Sequence, residues 1–358
     1  MLKAIEKKKV VVGMSGGVDS AVSAALLVEQ GYEVVGVFLE CWRAPGCRVD
    51  EDRKDAMDVA LDLGIEFKVL DFKKEYKEKV VDYFFSEYQA GRTPNPDTMC
   101  NKEIKFGMFY DWAMNEGFDY VATGHYARIE NGQLLVGVDK NKDQSYFLYQ
   151  LRQDQLKHIL FPIGDLDKGQ VRREADKRGL RVANKPDSQG ICFIGQIDVR
   201  KFLETRITPE KGEVVNADNE VIGSHDGVWF YTVGQRHGFT IDGKYKSKNE
   251  KWKQGIPPLY VISKNIDKNQ LIVGQDREAL IGEFGVRDIH WIGKTKIVDS
   301  SDQILVRIRH RGKLLESKIV NNKTGMKVIL KESQRGVASG QVVVFYDGEV
   351  CLGGGIIS

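Results

Sequence analysis

The chain has 358 residues, 42% apolar and 29% charged, with a formal net charge of only +2. That composition fits a globular protein of two or three domains; no run is long and apolar enough to span a bilayer and the lysine-rich start lacks a signal-peptide core, so a cytoplasmic protein with no membrane partner is expected. Five cysteines without a secretion signal argue against a disulfide scaffold, and the near-neutral charge means that a nucleic-acid partner has to be met by local patches.

The first predicted strand is 10–12, followed by the turn Gly13-Met-Ser-Gly-Gly-Val-Asp-Ser20 and a helix over 21–28. Gly13, Gly16 and Gly17 permit backbone geometry that a side chain would obstruct, and amides gathered at a helix start form an anion site. The loop lacks the Gly-Lys-Ser/Thr ending of a Walker A motif and the G-x-G-x-x-G spacing of a dinucleotide fold. Ser15-Gly-Gly-Val-Asp-Ser20 instead resembles the PP-loop of ATP pyrophosphatases, with an ordinary glycine-rich turn as the plain alternative.

Strand and helix then alternate: strand 33–39, helix 52–63, strand 67–72, helix 74–89, helix 101–115 and strand 120–123. This predicts a doubly wound α/β domain on a parallel sheet. Between them, Gly91-Arg-Thr-Pro-Asn-Pro-Asp-Thr-Met-Cys-Asn-Lys102 is held extended by two prolines. Asp97 and Cys100 thus stand just before a helix start, where the dipole would lower a thiol pKa; Asp97 reads equally as an N-cap. A second stiff piece, Lys185-Pro-Asp-Ser-Gln-Gly-Ile-Cys-Phe-Ile-Gly195, follows a helix over 168–178. Cys192 there, between Ile and Phe, is by itself a core residue as readily as a catalytic one.

Beyond residue 202 short β-rich runs take over: 212–216, 220–223, 228–232, 259–263, 270–274, 304–311, 327–330 and 341–345. They predict two small mainly-β modules divided near 278, the last a β-barrel. Residues 244–253, with four lysines, read as a mobile loop. In Val306-Arg-Ile-Arg-His-Arg311 a continuous strand would put Arg307, Arg309 and Arg311 on one face, either a solvated face or a phosphate-contacting ladder.

Together with Ala122-Thr-Gly-His-Tyr126, Lys142-Asp-Gln-Ser-Tyr-Phe-Leu-Tyr149, Gly234-Gln-Arg236 and the closing Gly348-Glu-Val-Cys-Leu-Gly-Gly-Gly-Ile-Ile357, these motifs resemble the bacterial tRNA-specific 2-thiouridylases nearly end to end. The resemblance implies a PP-loop catalytic domain at 1–203, a central domain at 204–277 and a tRNA-contacting barrel at 278–358. It implies that ATP, with Mg2+, adenylates the C2 carbonyl of the wobble uridine in tRNAs for Lys, Glu and Gln, and that sulfur arrives from a persulfide-carrying donor protein.

By the same resemblance Cys192 carries the persulfide, Cys100 resolves it as a disulfide, and Asp97 is the acid-base residue. ATP would be met by Gly13, Met14, Ser15, Gly16, Gly17, Val18, Asp19, Ser20, Leu39 and Gly124. Asn95, Pro96 and Asp97 would surround the flipped uridine, with His125 near it or buried in the core. Asp143, Gln144, Ser145, Arg309, His310 and Gln341 would touch tRNA.

Two positions depart from the family pattern: Cys41, where no cysteine is expected and which with Cys47 is either inert or an extra redox or metal pair, and His310, where an aromatic is usual. Three rival readings remain at this point. One is thiolation through an iron-sulfur cluster on Asp97, Cys100 and Cys192. The others are a different PP-loop ligase and an ATP-regulated RNA-binding protein.

Overall fold

The computed structural model describes residues 7–43, 47–187, 190–195, 197–243, 257–293, 304–322 and 325–358. The lysine-rich stretch expected to be a mobile loop, 244–253, lies outside the described residues, as do Ser188 and Gln189 of the second stiff piece.

Five parallel strands form the first sheet, in the spatial order Glu66–Asp71, Glu33–Glu40, Lys9–Gly13, Tyr120–Thr123 and Ile159–Leu160. The central strand is apolar on both faces because both are covered: Val11 packs into one helical layer with Phe109 and Val121, while Val10 and Val12 pack into the other with Val22 and Ala60. The helix over 96–115 begins at Pro96–Met99, runs through a π-helical stretch at Cys100–Met108, and ends as α-helix at Phe109–Asn115. A shorter π-helical stretch, Lys77–Val81, interrupts the helix over 73–89.

The central module is a five-stranded sheet in which Gly212–Val215 and Gln270–Gly274 run parallel and the other pairs antiparallel. The run 228–232 expected as a strand is instead a one-turn 3-10 helix, Val228–Phe230, with Val228 in the module's core.

Six antiparallel strands close the last module into a barrel: Ile281–Trp291, Gly325–Gln334, Leu315–Asn322, Ile304–Arg307, Val342–Asp347 and Val350–Ile357, the last pairing back onto the first. Val306, Val328, Val343 and Phe345 fill it. A hairpin of the first domain, Ala127–Glu130 with Gln133–Val136, extends the barrel's sheet by pairing Leu135 with Val350. Arg128 and Lys140 of the first domain both reach Glu349, each at 2.6 Å. Among the described residues no helix is long and apolar enough to cross a membrane.

Candidate active site

The sequence puts glycines where the backbone has no room for anything else. Gly16 has φ +74, and a Cβ there would stand 2.1 Å from the Asp52 carbonyl oxygen. Gly124, at the end of its strand, backs onto the loop so closely that a Cβ would lie 2.8 Å from the Ser20 nitrogen. Met14 N donates to Val37 O at 2.8 Å, and the Ser20 hydroxyl accepts from Ser15 N at 3.1 Å and donates to Gly17 O at 3.1 Å. Helix Val18–Glu29 starts at Gly17 with no side-chain cap, which leaves its first amides for an incoming anion. Leu39 is buried on the neighbouring strand, and Asp19 stands in the helix's first turn.

Cations converge on this loop from positions far along the chain. Lys168 Nζ lies 2.7 Å from Asp19 Oδ1 and 2.8 Å from Asp187 Oδ1. Lys142 and Arg172 also hold Asp187, at 2.5 and 2.9 Å. Lys185 Nζ is 2.9 Å from the Gly16 carbonyl and pairs with Asp52 at 2.8 Å and with Asp55. Burial pushes the Asp187 carboxyl up, but the hydrogen bonds from Lys142 and Lys168 outweigh it and hold it at about 2. Lys168, Arg172 and Lys185 were not among the sequence candidates. The missing Walker A lysine was the available signal that positive charge had to come from elsewhere.

The second half of the site is a pair of thiols. Cys100 Sγ lies 3.4 Å from Cys192 Sγ, with Cys100 the donor. Asp97 Oδ1 accepts the Cys192 N–H at 2.8 Å, and the Tyr76 hydroxyl donates to the Cys192 carbonyl at 2.6 Å, so both flanking peptide groups are fixed. Phe193 takes φ +63, a left-handed conformation unusual for a non-glycine residue. The turn is closed by mutual hydrogen bonds between Ile191 and Gly195, at 3.0 and 2.8 Å.

The electrostatics reverse one expectation. The helix start does not lower Cys100; its thiol is fully buried, and burial together with the neighbouring Cys192 pushes it well up. Cys192 is the acidic thiol, brought down to about 7 by the hydrogen bond from Cys100 and by Lys105 against the cost of burial. Burial raises the Asp97 carboxyl, opposed by the Cys192 amide and Lys105. The N-cap of helix Pro96–Met99 is Asn95, whose side chain accepts from Thr98 N at 3.2 Å, so Asp97 is free of that role. Cys41 is buried, its thiol raised by burial and then by the nearby Cys192.

Around this centre His125 is buried between Phe106 and Phe161, with Nδ1 2.7 Å from the Thr123 hydroxyl; burial holds it neutral, and Lys105 adds to that. From the barrel, Gln341 Nε2 donates to the Thr93 carbonyl at 2.9 Å, anchoring the 91–102 loop. His310 lies against Phe147, ring centroids 4.4 Å apart. Its Nδ1 is buried with no hydrogen-bond partner among the described residues, and burial lowers its pKa to about 4.

Of the other residues expected at the tRNA, Asp143 and Ser145 are buried and Gln144 is half-buried. The Asp143 carboxylate is buried, accepting from Gly137 N, Ser145 N and Ser145 Oγ and paired with Arg307 at 2.5 Å. The Ser145 hydroxyl is fully enclosed, and Gln144 Oε1 accepts from Tyr126 N at 3.0 Å. The arginine ladder is likewise corrected. The strand ends at Arg307, which is buried, while Arg309 and Arg311 are exposed on the turn that follows, Arg311 at φ +59.

Comparison with known proteins agrees with this architecture. The tRNA methyl transferase HUP domain family matches residues 8–196, its PRC-barrel domain family 200–275, and the aminomethyltransferase beta-barrel domain family 282–357. The chain is 46% identical to the tRNA-specific 2-thiouridylase MnmA of Halalkalibacterium halodurans and 45% to that of Streptococcus uberis. It is 43% identical to the enzyme of the same name from Pseudomonas fluorescens. In each case the match covers 98% of this chain and 95% of the relative. With a PP-loop, a pair of neighbouring thiols and likeness over almost its whole length, the chain belongs to the tRNA-specific 2-thiouridylase family.

Proposed function

We propose that this protein replaces the C2 carbonyl oxygen of a wobble uridine with sulfur, in tRNAs for Lys, Glu and Gln, in the cytoplasm. The observation that carries the reading is the Cys100–Cys192 pair, 3.4 Å apart, in a chain that also builds a PP-loop. A carbonyl oxygen is a poor leaving group, so ATP first adenylates it, releasing pyrophosphate. The loop amides and the cations at Lys142, Lys168, Arg172 and Lys185 are suited to the phosphates. Mg2+ comes with the phosphates and neutralises part of their charge.

Sulfur is delivered as a persulfide on Cys192, loaded by a persulfide-carrying donor protein. Its terminal sulfur attacks C2 of the flipped, adenylated base; the C–S bond forms, and AMP leaves with the C–O electron pair. Cys100 then attacks the inner sulfur, forming the Cys100–Cys192 disulfide and sending the S–S electron pair to the sulfur left on C2. The Cys100 proton passes through Asp97 to N3 of the base. A dithiol reductant reopens the disulfide for the next cycle. The iron-sulfur rival fits less well, because the Asp97 carboxylate is already engaged by the Cys192 amide.

The test is mass spectrometry of nucleosides from tRNA incubated with the protein, ATP and a charged donor. 2-Thiouridine is expected from the wild type and from neither Cys100→Ser nor Cys192→Ser. Thiolation by Cys192→Ser would overturn the assignment.

A further inference from the structure

Lys105 has no part in the reaction sequence above, yet its charge acts on Cys192, Asp97 and His125 alike. On a regular α-helix it would point about 140° away from Cys100, since five residues at 3.6 per turn overshoot one turn. The stretch Cys100–Met108 is π-helical, and its i→i+5 ladder stacks residue 105 above residue 100. The Lys105 ammonium stands over the ring of Phe193, the residue next to Cys192, 5.7 Å from its centroid, and its charge favours the Cys192 thiolate. Burial works against its charge, but Cys192, Cys100 and Asp97 keep it protonated.

The groups facing Cys192 sort into two kinds. Cys100 donates a hydrogen bond to the sulfur, Asp97 takes the Cys192 amide and its negative charge disfavours a thiolate, and Cys41 is a further buried thiol nearby. Among the named neighbours Lys105 alone is a cation. A buried sulfur anion with no fixed cation would be reprotonated or driven toward solvent.

We propose that Lys105 is the fixed cation of the sulfur-transfer site, holding the sulfur on Cys192 anionic and aimed while Cys100 stays protonated as its partner. The purpose rests on Cys192 as the sulfur carrier; the geometry and the test do not. Lys105 is a positioning residue for the sulfur, and the π-helical stretch is what puts it there.

The experiment is the pH profile of iodoacetamide alkylation at Cys192, read by peptide mass spectrometry on the full chain without ATP, tRNA or donor. In the wild type the midpoint is expected near neutral pH; a midpoint at or above the ordinary thiol value of about 8.5 overturns the proposal directly. Lys105→Met and Lys105→Gln are expected to raise the midpoint by at least one unit, slowing alkylation at neutral pH at least about fivefold. Lys105→Arg is expected to restore most of it. An unchanged midpoint in a Met or Gln variant that melts like the wild type also overturns it. Because no nucleotide or RNA is present, failure here leaves the thiolation reading intact, and failure of the nucleoside assay leaves this result intact.

Discussion

Arg307 Nη1 lies 2.5 Å from Asp143 Oδ2, a buried ion pair that joins the barrel to the first domain. Asp143 also receives two backbone amides, Gly137 and Ser145, so its charge is met from three directions. Removing one member of such a pair leaves the other charge buried and uncompensated, at a cost of about 3–5 kcal/mol. Asp143→Ala is therefore expected to lower the urea midpoint substantially before any effect on RNA is considered. An unchanged midpoint with weakened tRNA affinity would return Asp143 to the RNA surface.

Lys168 carries a prediction about the nucleotide. It bridges Asp19 on the PP-loop helix and Asp187 on the piece of chain that leads to Cys192. Charge-assisted hydrogen bonds contribute roughly 1.5–3 kcal/mol, so Lys168→Met is expected to weaken ATP binding by about tenfold to a hundredfold. Calorimetric titration of ATP, with Mg2+, into the free protein measures it. Wild-type affinity would remove Lys168 from the phosphate site.

Asp97 has two separable tasks, holding the Cys192 amide and moving a proton. Asp97→Asn keeps the oxygen that accepts the amide and loses only the acid-base function, which is expected to slow thiolation by about 10²–10⁴. Under mild oxidation the Asn variant should still form the Cys100–Cys192 disulfide, whereas Asp97→Ala should lose both. Peptide mapping of the oxidised proteins distinguishes them, and wild-type turnover in the Asn variant would refute the proton-transfer role.

His310 makes stability depend on pH with a definite sign. Its folded pKa, about 4, lies below the ordinary histidine value of about 6.5, so between these the unfolded chain binds more protons. Its destabilising contribution is absent above the unfolded value and grows as pH falls from about 6.5 toward 4. His310→Phe keeps the ring contact with Phe147 and removes the titration. The difference in Tm between the two proteins is expected to widen in favour of Phe across that window, trimmed by solvent screening at a half-buried site. A constant difference would show that His310 titrates normally.

Several elements were legible because their signal is local. The central strand reads as buried on both faces from Val10, Val11 and Val12, and the glycine turn announces its own geometry at Gly16. What escaped depends on long range or on a change of period. Cys100 and Cys192 are 92 positions apart, and spacing carries nothing about their contact. Lys105 was hidden because a helical pattern is read with an α period, while the ladder here is π. The arginine ladder failed because a period of two was carried past Arg307 into a turn, and because the inward pull of Asp143 is invisible locally. The hairpin at 127–136 and the two-residue strand Ile159–Leu160 are too short for periodicity to register.

The hairpin that pairs Leu135 with Val350 belongs to one domain by sequence and to another by its hydrogen bonds. For anyone building chimaeras, the boundary between domains is thus no place to cut. A barrel transplanted alone would leave behind the partners of Glu349, Arg128 and Lys140, and would release Gln341 from the loop that carries Asp97 and Cys100. A graft that works has to carry the hairpin with the barrel and re-create the Gln341 anchor.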